Sequence, residues 1–257
     1  MSRAFSDDLI ACLRFYTRLP IRGGADPHAM PDFASAAHAA PVAGALVGVI
    51  GAATLLVARG ANMSALVSSA CAIAVLVAVT GALHEDGLAD VADGFGGGRT
   101  RDAKLAIMRD SRLGAYGVVA LCLSLILRIA VLAALVEHGS LLAAAALVAA
   151  GAVSRSAGLA PMTLPPARGD GVGAAAPRPS GNRLRVAYIV AAIISLLPLA
   201  AGASLANVVL ADAGAFAAAR IVTRLAERQI GGYTGDVLGM AQQACEITVL
   251  LCLSAAR

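Results

Sequence analysis

Apolar residues fall along this chain in blocks of roughly fifteen to twenty, set off by polar connections, and not in the one-faced stripes of a water-soluble helical protein. Seven blocks approach the length needed to cross about 30 Å of hydrocarbon. They are Ala39–Ala58, Ser64–Leu83, Val118–Val136, Leu141–Val153, Val186–Ala200, Ala203–Val222 and Val237–Ala256. The fourth and fifth are short and need flanking small residues to reach across. The segment Phe5–Leu19 is different. Its apolar residues Leu9, Ile10, Leu13 and Tyr16 recur at helical spacing among Asp7, Asp8, Arg14 and Arg18, and Pro20 closes it. That pattern predicts an amphipathic helix lying at the membrane surface.

Composition strengthens this reading. Of 257 residues, 59% are hydrophobic and 14% charged, with a mean hydropathy of +0.79, whereas soluble domains are about 25% charged. Too little polar surface exists to coat a soluble globule. Disorder and a disulfide scaffold are excluded by the same figures. Cys12, Cys71, Cys122, Cys245 and Cys252 form no CxxC pair and sit in apolar stretches, as reduced packing residues do. The chain is expected to be an all-α polytopic integral membrane protein. It would form one domain over residues 1–257, with about seven transmembrane helices plus the amphipathic N-terminal helix.

The net charge is +4, and its placement matters more than its size. Seventeen of the twenty basic residues lie before the first span or in the second-to-third, fourth-to-fifth and sixth-to-seventh connections. Arg59 and Arg257 fall on the other side, and Arg128 falls inside a span. The bias of basic residues toward cytoplasmic loops then predicts a cytoplasmic N-terminus and an external C-terminus. It also accounts for the basic balance without nucleic acid, for which there is no basic groove with interleaved aromatics. The long connections His84–Gly117, Arg155–Arg185 and Thr223–Asp236 would all emerge on the cytoplasmic face, as suits a membrane enzyme with cytoplasmic substrates. Gly44 and Gly48, with Ala40 and Ala52 at the same spacing, offer a face for close helix packing. Arg128, Asp212 and Glu246 lie within spans, where an unpaired charge is costly. Arg128 is expected to pair with Glu246, or failing that Asp212. An ion-coupled transporter built on these three charges is the reading from a different functional class.

The densest chemistry is His84-Glu85-Asp86-Gly87-Leu88-Ala89-Asp90-Val91-Ala92-Asp93-Gly94. Asp86, Asp90 and Asp93 at i, i+4 and i+7 share one helical stripe, and like charges so placed call for a cation. Carboxylate oxygens suit Mg²⁺ or Mn²⁺, which usually keep positions for substrate phosphates. A solvated acidic helix paired with Arg99, Arg101 and Arg109 is the simpler alternative. The glycine run Gly96–Gly98 and the cations Lys104, Arg109 and Arg112 follow, either as an interfacial helix or as a phosphate clamp. His84 stands beside the stripe and is a candidate for assisting proton removal.

The string HEDGLADVADGFGG, followed by IMRDSRLGAYGV, resembles the signature of the cobalamin synthase family, the adenosylcobinamide-GDP ribazoletransferases. RFYTRLP near the N-terminus, LPPARGDGVGAA (Leu164–Ala175) and GGYTGDVLG (Gly231–Gly239) are similar to that family too, in family order across almost the whole chain. The resemblance implies a multi-pass enzyme of the bacterial inner membrane, acting in the last stage of cobalamin assembly. It would join α-ribazole, or its 5′-phosphate, to adenosylcobinamide-GDP, release GMP and require Mg²⁺. On that basis Glu85, Asp86, Asp90 and Asp93 are expected around the metal. Lys104, Arg109, Arg112 and Arg168 would neutralise the leaving nucleotide, with Ser111, Thr234 and Asp236 contacting substrate. A carboxylate of the cluster, or Asp110, would take the alcohol proton. A homo-oligomer, or a complex with other cobalamin-assembly enzymes, is a further expectation.

Asp90-Val91-Ala92-Asp93-Gly94 also matches the opening DxxDG of the CDP-alcohol phosphotransferases. Their next Ala-Arg pair is replaced here by Gly97 and Gly98, and their later GxxxDxxxD is missing. A lipid-headgroup phosphotransferase is thus the rival within enzymes.

Overall fold

The computed structural model describes residues 5–22, 30–169 and 177–255. Among the described residues every regular element is helical, and the sole extended contact is an isolated bridge between Pro166 and Tyr233. Helix α1 (Phe5–Tyr16) is followed by two short turns, Phe33–Ala36 and Ala37–Ala39, that lead into α2 (Ala40–Gly60). Then come α3 (Ala65–Thr80), α4 (Leu83–Gly97), α5 (Arg101–Ile107) and α6 (Ala115–His138). They are followed by α7 (Ser140–Ala157, prolonged by Ala160–Thr163) and α8 (Gly181–Ile194, continued by Leu197–Ala200). Last are α9 (Leu205–Ile230) and α10 (Gly235–Ser254). Hydroxyl caps fix several starts: Ser64, Ser180, Ser204 and Thr234 each accept a hydrogen bond from the backbone amide three residues on.

Six stretches are long and apolar enough to cross a membrane: Phe33–Gly60, Ala115–His138, Ser140–Thr163, Gly181–Ala200, Leu205–Ile230 and Gly235–Ser254. A seventh exists if α3 and α4, which meet at 87°, count as one bent pair. The all-α polytopic architecture stands, and several details differ from the sequence expectation. The second span stops at Thr80 because Gly81 and Ala82 both adopt left-handed backbone (φ +62° and +56°). The fourth runs on through Arg155 because that side chain is buried in the bundle, so Arg155 is not a loop cation. Most of the expected loop Thr223–Asp236 is the end of α9, which continues to Ile230. On α1 the buried face is Asp8, Cys12 and Tyr16, and Ile10 of the expected stripe is exposed. Arg257 and the last residue of the seventh expected span, Ala256, lie outside the described residues.

Helix α7 forms the centre, buried from Leu142 to Ala157 but for a few positions, and contacts α2, α10, α6 and α8. Its partner across the tightest interface is α2. A Cβ on Gly44 or Gly48 would collide with the α7 backbone at Gly151 and Leu147, and one on Gly151 would strike Gly44. This is the small-residue face that the sequence spacing marked, and it lets two backbones touch. On the outside, Val57, Leu66, Ile126, Leu141, Ile193 and Ile221 remain exposed, a surface suited to acyl chains and not to water.

The charges within the bundle are paired across helices. Arg128 of α6 lies 2.8 Å from Glu246 of α10, the expected partner, and 2.6 Å from Glu85 of α4, which the sequence had not assigned to it. Arg155 of α7 adds a second guanidinium 3.8 Å from Glu246. Gln243 accepts from Ser124 (2.9 Å) and donates to Glu85 (3.3 Å), while Gln242 donates to Glu246 (2.5 Å) and to Ser154 (3.0 Å). Asp212 takes no part and accepts instead from Ser195 at 2.8 Å. The three span charges therefore do not form one site.

Two outcomes follow for stability in detergent. Gly44→Leu should lower the unfolding free energy by at least about 2 kcal/mol, through overpacking against α7, read as a fall in thermal midpoint. Arg128→Leu alone leaves two buried carboxylates facing each other and should cost about 3–5 kcal/mol. Adding Glu85→Gln and Glu246→Gln should recover part of that loss, and purely additive losses would remove the network as an energetic unit.

Candidate active site

The site begins at the break between α3 and α4. The left-handed pair Gly81–Ala82 turns the chain through 87° while its amides still bond back to Ala78 (3.2 Å) and Val77 (2.9 Å). Interrupted helices survive within a membrane protein where the freed backbone is buried in protein or lines a cavity. Here the N-terminal segment covers the break. The Arg18 amide donates to Val79 (2.7 Å), and the Arg18 side chain packs over Gly81, which has no room for a Cβ. RFYTRLP thus seals the top of the site, beyond the surface role expected for α1.

Helix α4 carries the acidic stripe, and its members do different work. Asp93 is buried, and its carboxylate accepts from the amides of Gly114 (2.7 Å) and Gly117 (2.8 Å) at the start of α6. It caps that helix from a neighbouring one, where a carboxylate meets the positive end of the dipole. Any Cβ at Gly114 or Gly117 would strike the Asp93 carboxylate. Glu85 points into the bundle toward Arg128 and not toward the stripe, because α4 buries that face against α6 and α10. The carboxylates of Asp86, exposed, and Asp90, half-buried, are the members of the stripe left to accept a proton or bind a metal. The charges acting on Asp90 are those of Asp86, Asp236 and Asp93, with Arg168 opposing them.

The second half of the site comes from two loops joined by the isolated bridge. Tyr233 donates to Pro165 (3.0 Å) and Ala167 donates to Tyr233 (2.8 Å). The approach is so close that a Cβ on Gly232 would lie 2.9 Å from the Ala167 nitrogen. Arg101 pins the junction, donating to the Ile230 carbonyl (2.9 Å) and to that of Ala167. The result sets Arg168 3.2 Å from Asp236, which also accepts from the Thr234 hydroxyl at 3.1 Å. Two segments some sixty-eight residues apart are held as one surface.

Between these halves lies a cavity of about 510 Å³. Asp86, Arg109, Arg168, Thr234 and Asp236 line it, and so does His84. Its floor includes Ser154, Arg155 and Gln242, which belong to the buried charge network. Tyr16 stacks on His84 with ring centroids 5.8 Å apart, and the Arg155 guanidinium lies 5.8 Å over the Tyr16 ring. Other expected residues are placed elsewhere. Lys104 donates to Gln229 on α9. Asp110 pairs with Arg112 at 2.5 Å on an exposed turn beside exposed Ser111, outside the cavity. The Arg112 guanidinium holds the Asp110 carboxyl down at about 2, so it is a poor proton acceptor. Asp170, in the Leu164–Ala175 motif, lies outside the described residues. Tyr16, Arg18 and Arg155 were not picked out from sequence as site residues. RFYTRLP was the visible signal for Tyr16 and Arg18, and Arg155 had none.

No group of three His, Cys, Asp or Glu among the described residues is placed to hold a metal ion by itself.

The cobalamin-5-phosphate synthase family matches residues 8–254. This chain belongs to that family. A protein of Azorhizobium caulinodans named adenosylcobinamide-GDP ribazoletransferase is 45% identical over 247 residues, 95% of this chain and 94% of the relative. Proteins of the same name from Bradyrhizobium diazoefficiens and Xanthobacter autotrophicus are 45% and 47% identical, covering 96% of this chain and 93% and 95% of their own lengths. No solved structure matches. Asp86, Arg168 and Asp236, from three of the family-like motifs marked in the sequence, all line the cavity.

For this cobalamin-5-phosphate synthase family member, Gly117→Ala should displace Asp93 and cost about 1–3 kcal/mol of stability. Gly97→Ala, whose Cβ would meet only Ile107 at 3.4 Å, should leave the thermal midpoint unchanged. Equal midpoints for the two variants would refute the capping role of Asp93.

Proposed function

We propose that the chain is a membrane-bound adenosylcobinamide-GDP ribazoletransferase, joining α-ribazole or its 5′-phosphate to adenosylcobinamide-GDP with release of GMP. The carrying observation is the cavity that sets Asp86 and Asp236 against Arg109 and Arg168. Carboxylates able to accept a proton and guanidiniums able to neutralise a diphosphate are what substitution at phosphorus requires. The names of the full-length relatives support the same reading. A CDP-alcohol phosphotransferase is the weaker reading, since the family match lies elsewhere.

In the proposed reaction the ribazole hydroxyl oxygen attacks the phosphorus on the cobinamide side. The new P–O bond forms as the bond to the GMP oxygen breaks, and GMP leaves with the electron pair. Arg168 and Arg109 stabilise charge on the nucleotide, Arg168 being held in place by Asp236. Asp86 or Asp90 takes the hydroxyl proton. Asp86 and Asp90 also fit Mg²⁺, which is commonly held by one or two carboxylates together with substrate phosphates and water. When bound there, Mg²⁺ would offset diphosphate charge. Asp93 and Glu85 serve the fold instead, as a helix cap and as the partner of Arg128.

The protein is further proposed to lie in the bacterial inner membrane with its N-terminus and site-forming loops in the cytoplasm and its C-terminus outside. With Arg155 buried, the basic residues of the connections still favour that side by a wide margin.

Purified protein in lipid, supplied with adenosylcobinamide-GDP, α-ribazole and Mg²⁺, should release GMP. Chelation of the metal should stop it. Asp86→Asn and Asp90→Asn should lower kcat at least about a hundredfold while the protein still inserts and folds. Near-normal turnover of both at limiting Mg²⁺ would reduce these carboxylates to a solvated surface. Cysteines placed at Gly97 and Asn182, in a background without native cysteines, should be labelled only from the cytoplasmic side, and one at Arg257 only from outside. External labelling at Gly97 would overturn the sidedness.

A further inference from the structure

The cavity has a second, apolar part that diphosphate chemistry does not use. Phe15, Met30, Leu83 and Leu238 line it half-buried, backed by buried Tyr16 and Phe33. Phe15 makes edge contacts with both Tyr16 (5.2 Å) and Phe33 (6.2 Å), so the aromatic rings form one continuous face. The Tyr16 hydroxyl is the one oxygen or nitrogen among these six side chains. Three polar side chains of the lining, Thr80, Ser154 and Gln242, already have partners within the protein. Thr80 donates to Leu76 at 2.9 Å, Ser154 accepts from Gln242, and Gln242 donates to Glu246.

We propose that this wall, built largely by the N-terminal segment, is the seat of the acceptor's flat aromatic base and sets which base the enzyme accepts. The inference rests on the ribazoletransferase reading. Two physical arguments select this occupant. A cavity of about 510 Å³ is of ordinary size for a small-molecule site, so it admits a nucleoside against the diphosphate and leaves a corrinoid macrocycle outside. The adenosyl group is carried by the corrinoid and stays outside with it. Of the other two nucleosides, a guanine presents several hydrogen-bonding atoms at its edge, and an apolar wall would strip them of water without replacing it. The dimethylbenzimidazole of α-ribazole has an almost wholly apolar edge and loses little. Aromatic neighbours also favour stacked or edge-on contacts with such a ring. The base lodged there places the ribose toward Asp86 and Asp236, where the hydroxyl must react.

The test separates the two substrates kinetically. In lipid-reconstituted enzyme, Phe15→Ala should raise KM for α-ribazole about tenfold and leave KM for adenosylcobinamide-GDP within twofold, with kcat little changed at saturation. Phe15→Leu, a gentler change at a half-buried position, should raise it several-fold in the same sense. Direct binding of α-ribazole by titration calorimetry should weaken in parallel. Purine-based acceptors should gain on α-ribazole in both variants relative to the native enzyme. A rise confined to the KM of adenosylcobinamide-GDP would assign the wall to guanine and overturn the proposal, as would unchanged constants for both substrates. If the native protein releases no GMP at all, the ribazoletransferase reading fails first. Turnover with an unmoved acceptor KM sinks only the base pocket.

Discussion

Arg128 is held between two carboxylates that arrive from different helices, Glu85 from α4 and Glu246 from α10. A guanidinium in the interior of a membrane bundle has no water to fall back on, so its partners must come from the protein. That requirement dictates much of the arrangement. It draws α4 into the bundle beside α6, and it fixes α10 along the same helix. Glu246 then draws in Arg155 from α7, so two cations and two anions balance locally. Gln242 and Gln243 add hydrogen bonds to Glu246 and Glu85, which tie the carboxylates further into the network.

Those same contacts set the floor of the cavity. Because Glu85 and Asp86 are adjacent, anchoring the first to Arg128 turns the second about 100° round α4, where it lines the cavity. Asp93, two turns on, is tied to the start of α6. Helix α4 is therefore pinned at both ends and presents Asp86 and Asp90 from a rigid segment between them. Side chains that take part in chemistry are best carried on elements whose own positions are locked. The paired loops supply Arg168 and Asp236 in the same manner, from a bridge that Gly232 permits and Arg101 clamps.

Much of this was legible in the amino-acid order. Apolar blocks give the membrane helices because backbone groups in lipid have to be satisfied within a segment. The spacing of Gly44 and Gly48 marked a close-packing face on α2 without naming α7 as its partner, and Arg128 with Glu246 was readable as a pair because neither is tolerable alone. The bend after Thr80 was not legible. Hydropathy carries no information on φ, and Ala82 is a residue that seldom takes left-handed backbone. Asp86, Asp90 and Asp93 look equivalent in sequence, and only the approach of Gly114 and Gly117 from another helix separates the third from the first two. Arg155 resembled a loop cation because its partner stands ninety-one positions away.

Alanine supplies eight of the eighteen residues of the central helix α7, with Leu142, Leu147, Val153 and Arg155 among its larger buried side chains. An alanine surrenders no rotamer freedom on burial. These alanine positions are thus ordered at almost no side-chain entropy, and dispersion between closely spaced backbones adds to their cohesion. Such a centre has already been trimmed to its smallest size. Sequence drift there has one direction open to it, enlargement, which the neighbouring helices refuse, so the innermost positions are closed to change while the lipid-facing ones remain free.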